Sequence, residues 1–486
     1  MSVLIGSRSE INRRKRPTFD NVKKYIEEFP DLYYDGAKII CKICDRALFC
    51  WHKSDCRKHV TSIQHTNRKY NVPSRDPFIL DVLPMWLVCG LPLRVVDKPE
   101  FRNFWEKYIP NRELPSRATL HSYLPFVRED YENQIKAVVK DKRLWLSVDQ
   151  TMDRQRNSIV HVIVRVLDPT KANFPILLAS KRLKKCNSVT ITKVVLDALE
   201  LFQISINQLL MFVSDGAATM RSVAHSLNQK GAQFLHLTCK SHDLHLVEQT
   251  IRELYPEVDA LIGSTRKVFF KSPKRIREFR KRCRGVPEPS QDGSILTRSG
   301  TWLKTALYYS EYFEELKRVV LRFDPDEAAA IEESQIRFRD ASVEADLKTI
   351  YDNYSGLLAA IETFQNTALS LAESVQIVSD VHALLCAASD VNNMCVVEKF
   401  EEIINKDADF NRLIRIGGGA NAQSIDPLFT YKDYFNYACL TSVDVERSFS
   451  KYKDIYSSRR TQFSEKNLET YLILQTYQQS YSISAN

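Results

Sequence analysis

Long apolar runs are what this 486-residue chain has least of. No uninterrupted stretch approaches the ~20 apolar residues that a membrane-spanning helix needs. The longest candidate, VLPMWLVCGLPL, is short and holds two prolines, so no membrane-embedded role is expected. An apolar run is also lacking behind the cations Arg13, Arg14, Lys15 and Arg16 in SRSEINRRKRP, which argues against a secretory signal and for a solvated basic arm. Two readings of that arm stand, nuclear import or DNA contact on one side and a featureless tail on the other. Without a secretion signal, the eleven cysteines point to a reducing compartment and to metal ligation rather than to a disulfide framework. Net charge is modest as well: 69 Lys and Arg against 60 Asp and Glu leave +9, an excess that informs only where it is clustered.

What is present is apolar mass for several cores, 44% hydrophobic and 10% aromatic, in a chain longer than one compact core usually fills. Two to four domains are expected.

In IICKICDRALFCWHKSDCRKHVTSIQHTNRKY, Cys41 and Cys44 form a C-x2-C knuckle, and after fourteen residues His59 and His65 follow as H-x5-H. This spacing suits a structural zinc ion: a tight knuckle presents two thiolates, and a helix then presents two imidazoles to complete a tetrahedron. Cys50, His52 and Cys56 are spare candidates, and a cluster of unmetallated buried thiols is the competing reading. Lys53, Arg57, Lys58, Arg68 and Lys69 flank the ligands, as a finger that meets phosphate requires. The stretch from about residue 18 to 72 resembles BED-type and CGG-repeat-binding-protein-type fingers found at the N-termini of some transposases.

Helical spacing broken by Pro84, Pro92, Pro110 and Pro115 follows, and then the pattern changes. KRLWLSVD, SIVHVIVRVL and FPILLAS read as three successive strands. VTITKVVLDALELFQI, GAATMRSVAHSLN and CKSHDLHLVEQTIREL read as helices alternating with the strands LLMFVSD and QFLHLT. That order suggests a mixed sheet with helices on its faces. Asp149 and Asp215 stand at the C-terminal ends of apolar strands, where a sheet delivers side chains to a crevice. Each also has a plainer reading as a cap or turn residue, and Asp153 is a lower-ranked neighbour of Asp149.

The order of elements is similar to the ribonuclease H-like fold, and LSVDQTMD, MFVSDGAATM, LTCKSHDLHLV and TSVDVERSFSKYKDIYSSRR resemble segments of the hAT superfamily of DNA transposases. The resemblance runs in pieces from about residue 80 to the end. It implies a multi-domain α/β chain in which a ribonuclease H-like mixed sheet is interrupted by an all-α insertion and preceded by a zinc finger and a helical linker. The expected divisions are 1–17, 18–75, 76–140 (DNA-binding or dimerisation), 141–262, 263–430 (insertion) and 431–486. It further implies Asp149, Asp215 and Glu446 as acids for two Mg²⁺ or Mn²⁺ ions, with Cys239 and His242 as a core motif beside them. Double-stranded DNA would be the partner, the chain at least a dimer, and the nucleus its site of action. The competing expectation is a DNA-binding regulator derived from such an enzyme and lacking catalysis.

The insertion opens with STRKVFFKSPKRIREFRKRCRG, which packs ten cations, among them Arg266, Lys267, Lys271, Lys274 and Arg275, around Phe269, Phe270 and Phe279. A phosphate-binding face and a merely solvated one both fit that composition. In LTRSGTWLKTALYY the family's Arg-Trp dipeptide is replaced by Arg298 and Ser299, with Trp302 four residues after the arginine. By resemblance an aromatic ring here stacks on an extruded base; Trp302 fills that role or packs in a core. Around Glu446, Arg447, Lys451, Lys453, Arg459 and Arg460 are candidate phosphate contacts, and Asp444 is the competing acid. Cys239, His242 and His245 offer ligands for a second zinc without an adjacent fourth partner.

Overall fold

The computed structural model describes residues 19–35, 38–48, 52–62, 65, 76–289, 301–417, 426–456 and 464–484. Arg13 to Arg16, Cys50, Arg68, Lys69, Arg298, Ser299, Arg459 and Arg460 lie outside them. The chain divides into two compact units, Met1–Val82 and Leu83–Asn486.

In the first unit, α1 (Phe19–Glu28) precedes a three-stranded antiparallel sheet of β1 (Leu32–Tyr34), β2 (Ile39–Cys41) and β3 (Arg46–Leu48), and α2 (Lys53–Val60) follows. Val22, Tyr25 and Ile26 recur at helical spacing on α1 and, with Phe29 just beyond its end, pack on Leu32, Ile39, Leu48 and Cys56. Cys56 is therefore core, fully buried, rather than a ligand. The single helix expected to carry both imidazoles ends between them: α2 stops at its C-cap Thr61, and only His59 lies on it. The spacing requires this, because residues six apart on one continuous helix differ by about 240° in direction.

The second unit takes up α3 (Pro77–Val88) partway along its length and continues through α4 (Pro99–Tyr108) and α5 (Arg117–Val139). Pro84 sits inside α3 without ending it. Ser116 caps α5 by accepting from the Thr119 N–H at 3.1 Å, and Leu120, Tyr123, Leu124, Val127, Tyr131 and Ile135 form its buried stripe.

Three strands follow, β4 (Leu144–Met152), β5 (Ser158–Val166) and β6 (Ile176–Leu183), then α6 (Ser188–Leu201), β7 (Leu209–Ser214), α7 (Ala218–Asn228), β8 (Leu235–Thr238) and α8 (Lys240–Leu254). Their sheet has the order β6-β5-β4-β7-β8; β4, β5 and β6 pair antiparallel, whereas β7 and β8 continue parallel to β4. All six residues of β7 are buried, as a strand covered on both faces requires.

From Pro256 to Gly417 every longer element described is helical: α9 (Pro256–Phe269), α10 (Pro273–Arg282), α11 (Thr301–Glu311), α12 (Phe313–Val320), α13 (Ala329–Arg339), α14 (Ala341–Thr363), α15 (Leu371–Ala387), α16 (Asn393–Lys406) and α17 (Ala408–Gly417). α9 packs on α13, α11 on α14, and α16 on α8. The chain then returns to the sheet with α18 (Val443–Ile455) against β4 and β5 and α19 (Glu465–Ser484) against β6.

β8 is an edge strand, and Asp407, just before α17, and Asp409, in its first turn, close that edge. The N–H of His236 donates to Asp409 at 2.9 Å, and the N–H of Thr238 donates to Asp407 at 3.0 Å. Asp407 also faces Lys240, which is 1% exposed and held at 2.7 Å by both Asp407 and Asp243.

Candidate active site and zinc centre

In the first unit, the ligand atoms of Cys41, Cys44, His59 and His65 all lie within 4.8 Å of one another. His65 Nδ1 stands 3.4 Å from the Cys41 sulfur and 3.5 Å from that of Cys44, while the Cys44 N–H donates to the Cys41 sulfur at 3.3 Å. Burial, with the neighbouring Cys44, pushes the Cys41 thiol up, a cost that a bound cation removes. The donor set, two sulfurs and two imidazoles, fits a tetrahedral zinc ion. Nε2 of His65 faces the Asp31 carboxylate at 3.1 Å, leaving Nδ1 turned toward the sulfurs. Asp31 was not legible as a site residue, since its partner lies 34 positions away and a lone Asp before a short strand carries no spacing signal.

The two aspartates of the second unit are placed by register. The parallel pairing of β4 with β7 ends at Ser147 opposite Val213. Asp149 and Asp215 each lie two residues further on, so they leave neighbouring strands at the same level and on the same face. The expectation that β4 ends at Asp149 needs amending: its antiparallel pairing with β5 runs on to Met152 opposite Ser158. Asp153 ties the turn beyond, accepting from the N–H groups of Gln155 and Asn157 at 2.8 Å each, which gives that carboxylate a structural task.

The next parallel strand completes the arrangement. Thr238 lies opposite Ser214, so Cys239, the N-cap of α8, falls beside Asp215, and His242 follows one turn into the helix. Nε2 of His242 stands 3.6 Å from a carboxylate oxygen of Glu446 on α18. Asp149, only 8% exposed, has its pKa pushed up to about 7, first by burial and then by the charges of Asp215 and, more weakly, Glu446. Burial alone would lower His242, but Cys239, Glu446 and Asp149 outweigh it and raise the imidazole to about 10. Among the described residues, Asp149, Asp215 and Glu446 do not form a close ligand group of the kind that Cys41, Cys44, His59 and His65 form.

Asp444 is spent elsewhere. It is buried, one oxygen receives Arg165 Nε at 2.7 Å as well as Nη2, and the other faces Arg447 at 3.7 Å. Arg447 also donates to the Gln365 carbonyl at 2.6 Å, and Lys451 is partly buried, with its pKa lowered mainly by that burial.

Among the other expected DNA contacts, Lys53 and Arg57 both pair with Glu28, whose own pKa is lowered by them, while Lys58 is exposed. In the basic segment, Arg275 and Lys274 face Glu327 at 3.1 and 3.6 Å, and Lys267 and Lys271 are exposed. Arg266 is half-buried. Phe269 and Phe279 are fully buried; Phe270 alone of the three is exposed, with Lys271 over its ring. Trp302 is 3% exposed, so its ring is not presented to a base. Its helix is nevertheless tied to the site helix, because the Leu303 N–H donates to Glu248 of α8 at 2.7 Å. His245 is drawn to the same Glu248, at 3.2 Å, and forms no second metal cluster with Cys239 and His242 among the described residues.

No family model matches the chain. CGG triplet repeat-binding protein 1 of Mus musculus and that of Homo sapiens are each 28% identical to it over 149 residues, which covers 25% of this chain and 87% of the relative. Among the described residues, no helix is long and apolar enough to cross a membrane.

Proposed function

We propose that this chain is a DNA transposase of the hAT type, cutting DNA at transposon ends with divalent-metal dependence, forming hairpins on flanking DNA and transferring the released strand. The observation that carries the reading is the convergence of Asp149 and Asp215, side by side on β4 and β7, with the His242–Glu446 pair contributed by α8 and α18. The strand order, three antiparallel strands continued by two parallel ones, supports a ribonuclease H-like core, and the helices from Pro256 to Gly417 an insertion between second and third acids.

Asp149, Asp215 and Glu446 would hold Mg²⁺ or Mn²⁺, which supplies Lewis-acid activation of the attacking and leaving oxygens. Burial of Asp149, with the charges of Asp215 and Glu446 beside it, already favours its protonated form near neutral pH, and cations at this point would relieve the charge repulsion. His242 keeps a positive charge beside Glu446 and orients that carboxylate. Lys267, Lys271 and the exposed cations of α10 hold the DNA backbone, and the finger, with structural zinc, contributes a second DNA contact. The similarity to CGG triplet repeat-binding protein 1, named for binding a nucleotide triplet repeat, supports a nucleic acid as the ligand. Nuclear action and assembly as at least a dimer belong to the same reading.

The test is incubation of the purified chain with DNA flanking its own coding sequence and Mg²⁺ or Mn²⁺, resolved on denaturing gels. Nicks and hairpins are expected from the wild type and none from Asp149→Asn, Asp215→Asn or Glu446→Gln, each of which retains DNA binding. A wild type that binds but never cuts, or a variant that cuts normally, overturns the reading or that residue's part in it.

A further inference from the structure

Trp145, Ser147 and Asp149 share one face of β4, and their register partners Arg165, Ile163 and His161 share it on β5. Three of these six side chains seize the chain that returns after the helical elements. The Trp145 indole N–H donates to the Cys439 carbonyl at 2.7 Å. Arg165 is buried and forks onto Asp444, while its Nη1 donates to the carbonyls of Asn173 at 2.8 Å and Thr367 at 3.1 Å. His161, fully buried, is hydrogen-bonded to Ser448 at 2.6 Å and to Ser180 at 2.9 Å, with its ring on Phe449. The anchored positions are thus 439, 444 and 448.

Asp444 and Ser448 are one turn apart and share the face of α18 seated on the sheet. Glu446, midway between them, leaves the helix about 200° around from either, which directs it away from the sheet toward His242. Shifting α18 by one residue would turn Glu446 by about 100° and break the Asp444 and Ser448 anchors together, while the Trp145–Cys439 bond fixes the chain just before the helix.

We propose that Trp145, His161 and Arg165 are positioning residues that fix the rotation and register of α18 and so set where Glu446 stands. This rests on the reading of Glu446 as a site acid. None of the three needs to touch metal or DNA. Arg165 acts through Asp444, the acid that competes with Glu446 in sequence and serves it in structure.

The test compares the full chain with the double variant Arg165→Met/Asp444→Leu, an apolar replacement of a buried pair that commonly folds. Ser448→Ala and Trp145→Phe each remove one anchor without stranding a charge, and they carry the test if the double variant is unfolded. Two quantities are read: hydrogen exchange across residues 443–455, and the Mn²⁺ concentration giving half-maximal cleavage. The expected result is faster exchange confined to that segment, with β4 and β7 unchanged, and a half-saturation raised roughly 10–100-fold while cleavage at saturating Mn²⁺ largely recovers. A general folding defect would instead lower the maximum without moving the half-saturation. Unchanged exchange, or faster exchange with an unmoved half-saturation, overturns the proposal. If the wild type does not cleave, the proposed function fails, and exchange alone decides whether the anchors hold α18.

Discussion

Two acids two residues apart on α18, Asp444 and Glu446, show how far burial and partners separate identical chemistry. Asp444 is 3% exposed and occupied by Arg165; Glu446 is partly exposed beside His242. Glu446→Gln is expected to abolish cleavage with the fold intact. Asp444→Asn leaves the buried Arg165 without its counter-charge and is expected to cost about 3–5 kcal/mol of stability, measured by urea unfolding. His161 gives the clearest pH dependence. Burial pushes its pKa down to about 3, far below the ordinary value near 6.5. The unfolded chain therefore takes up a proton as pH falls through 6.5 while the folded chain does not, so this residue's stabilisation is lost between about pH 6.5 and 3, at about 1.4 kcal/mol per pH unit. His161→Asn should flatten the stability profile by that slope in this window, and an identical profile for wild type and variant would remove the assignment.

At the scale of elements, the sheet was legible because β-branched and apolar runs mark β4, β5 and β7 over their length. Which strand lies beside which is another matter. The level of Asp149 with Asp215 depends on pairing across more than sixty residues, and the anchors of α18 on side-chain contacts spanning nearly three hundred, neither of which leaves a local pattern. Pro84 within α3 and the break between His59 and His65 show the same limit in reverse, local signals overridden or sharpened by packing. The β8 edge carries its own expectation. Lys240→Met strands two buried carboxylates, Asp243 and Asp407, and should destabilise the second unit by about 3–5 kcal/mol, visible as an earlier urea midpoint. In the finger, Asp31→Asn weakens the orientation of His65 and is expected to raise the zinc dissociation constant about 10–100-fold, by competition with a chromogenic chelator. Glu28 restrains Lys53 and Arg57; Glu28→Gln should strengthen DNA binding at low salt and steepen its salt dependence by about one to two ions.

Across the whole molecule, a net charge of +9 understates a strong local cluster, with ten cations and a single glutamate between Ser264 and Gly285. That cluster follows α8, the helix carrying His242, by way of α9, so the densest positive charge begins close in sequence to the proposed centre. In the proposed function, Asp149, Asp215 and Glu446 together hold divalent metal. Crystals of the full chain soaked in Mn²⁺ and measured for anomalous scattering at the manganese edge test it most directly. The expected map has one peak within about 2.5 Å of the Asp149 and Asp215 oxygens and a second about 3.5–4 Å away toward Glu446, both absent in Asp149→Asn. A map with no peak at these carboxylates at saturating Mn²⁺, or the same peaks in Asp149→Asn, would contradict the claim.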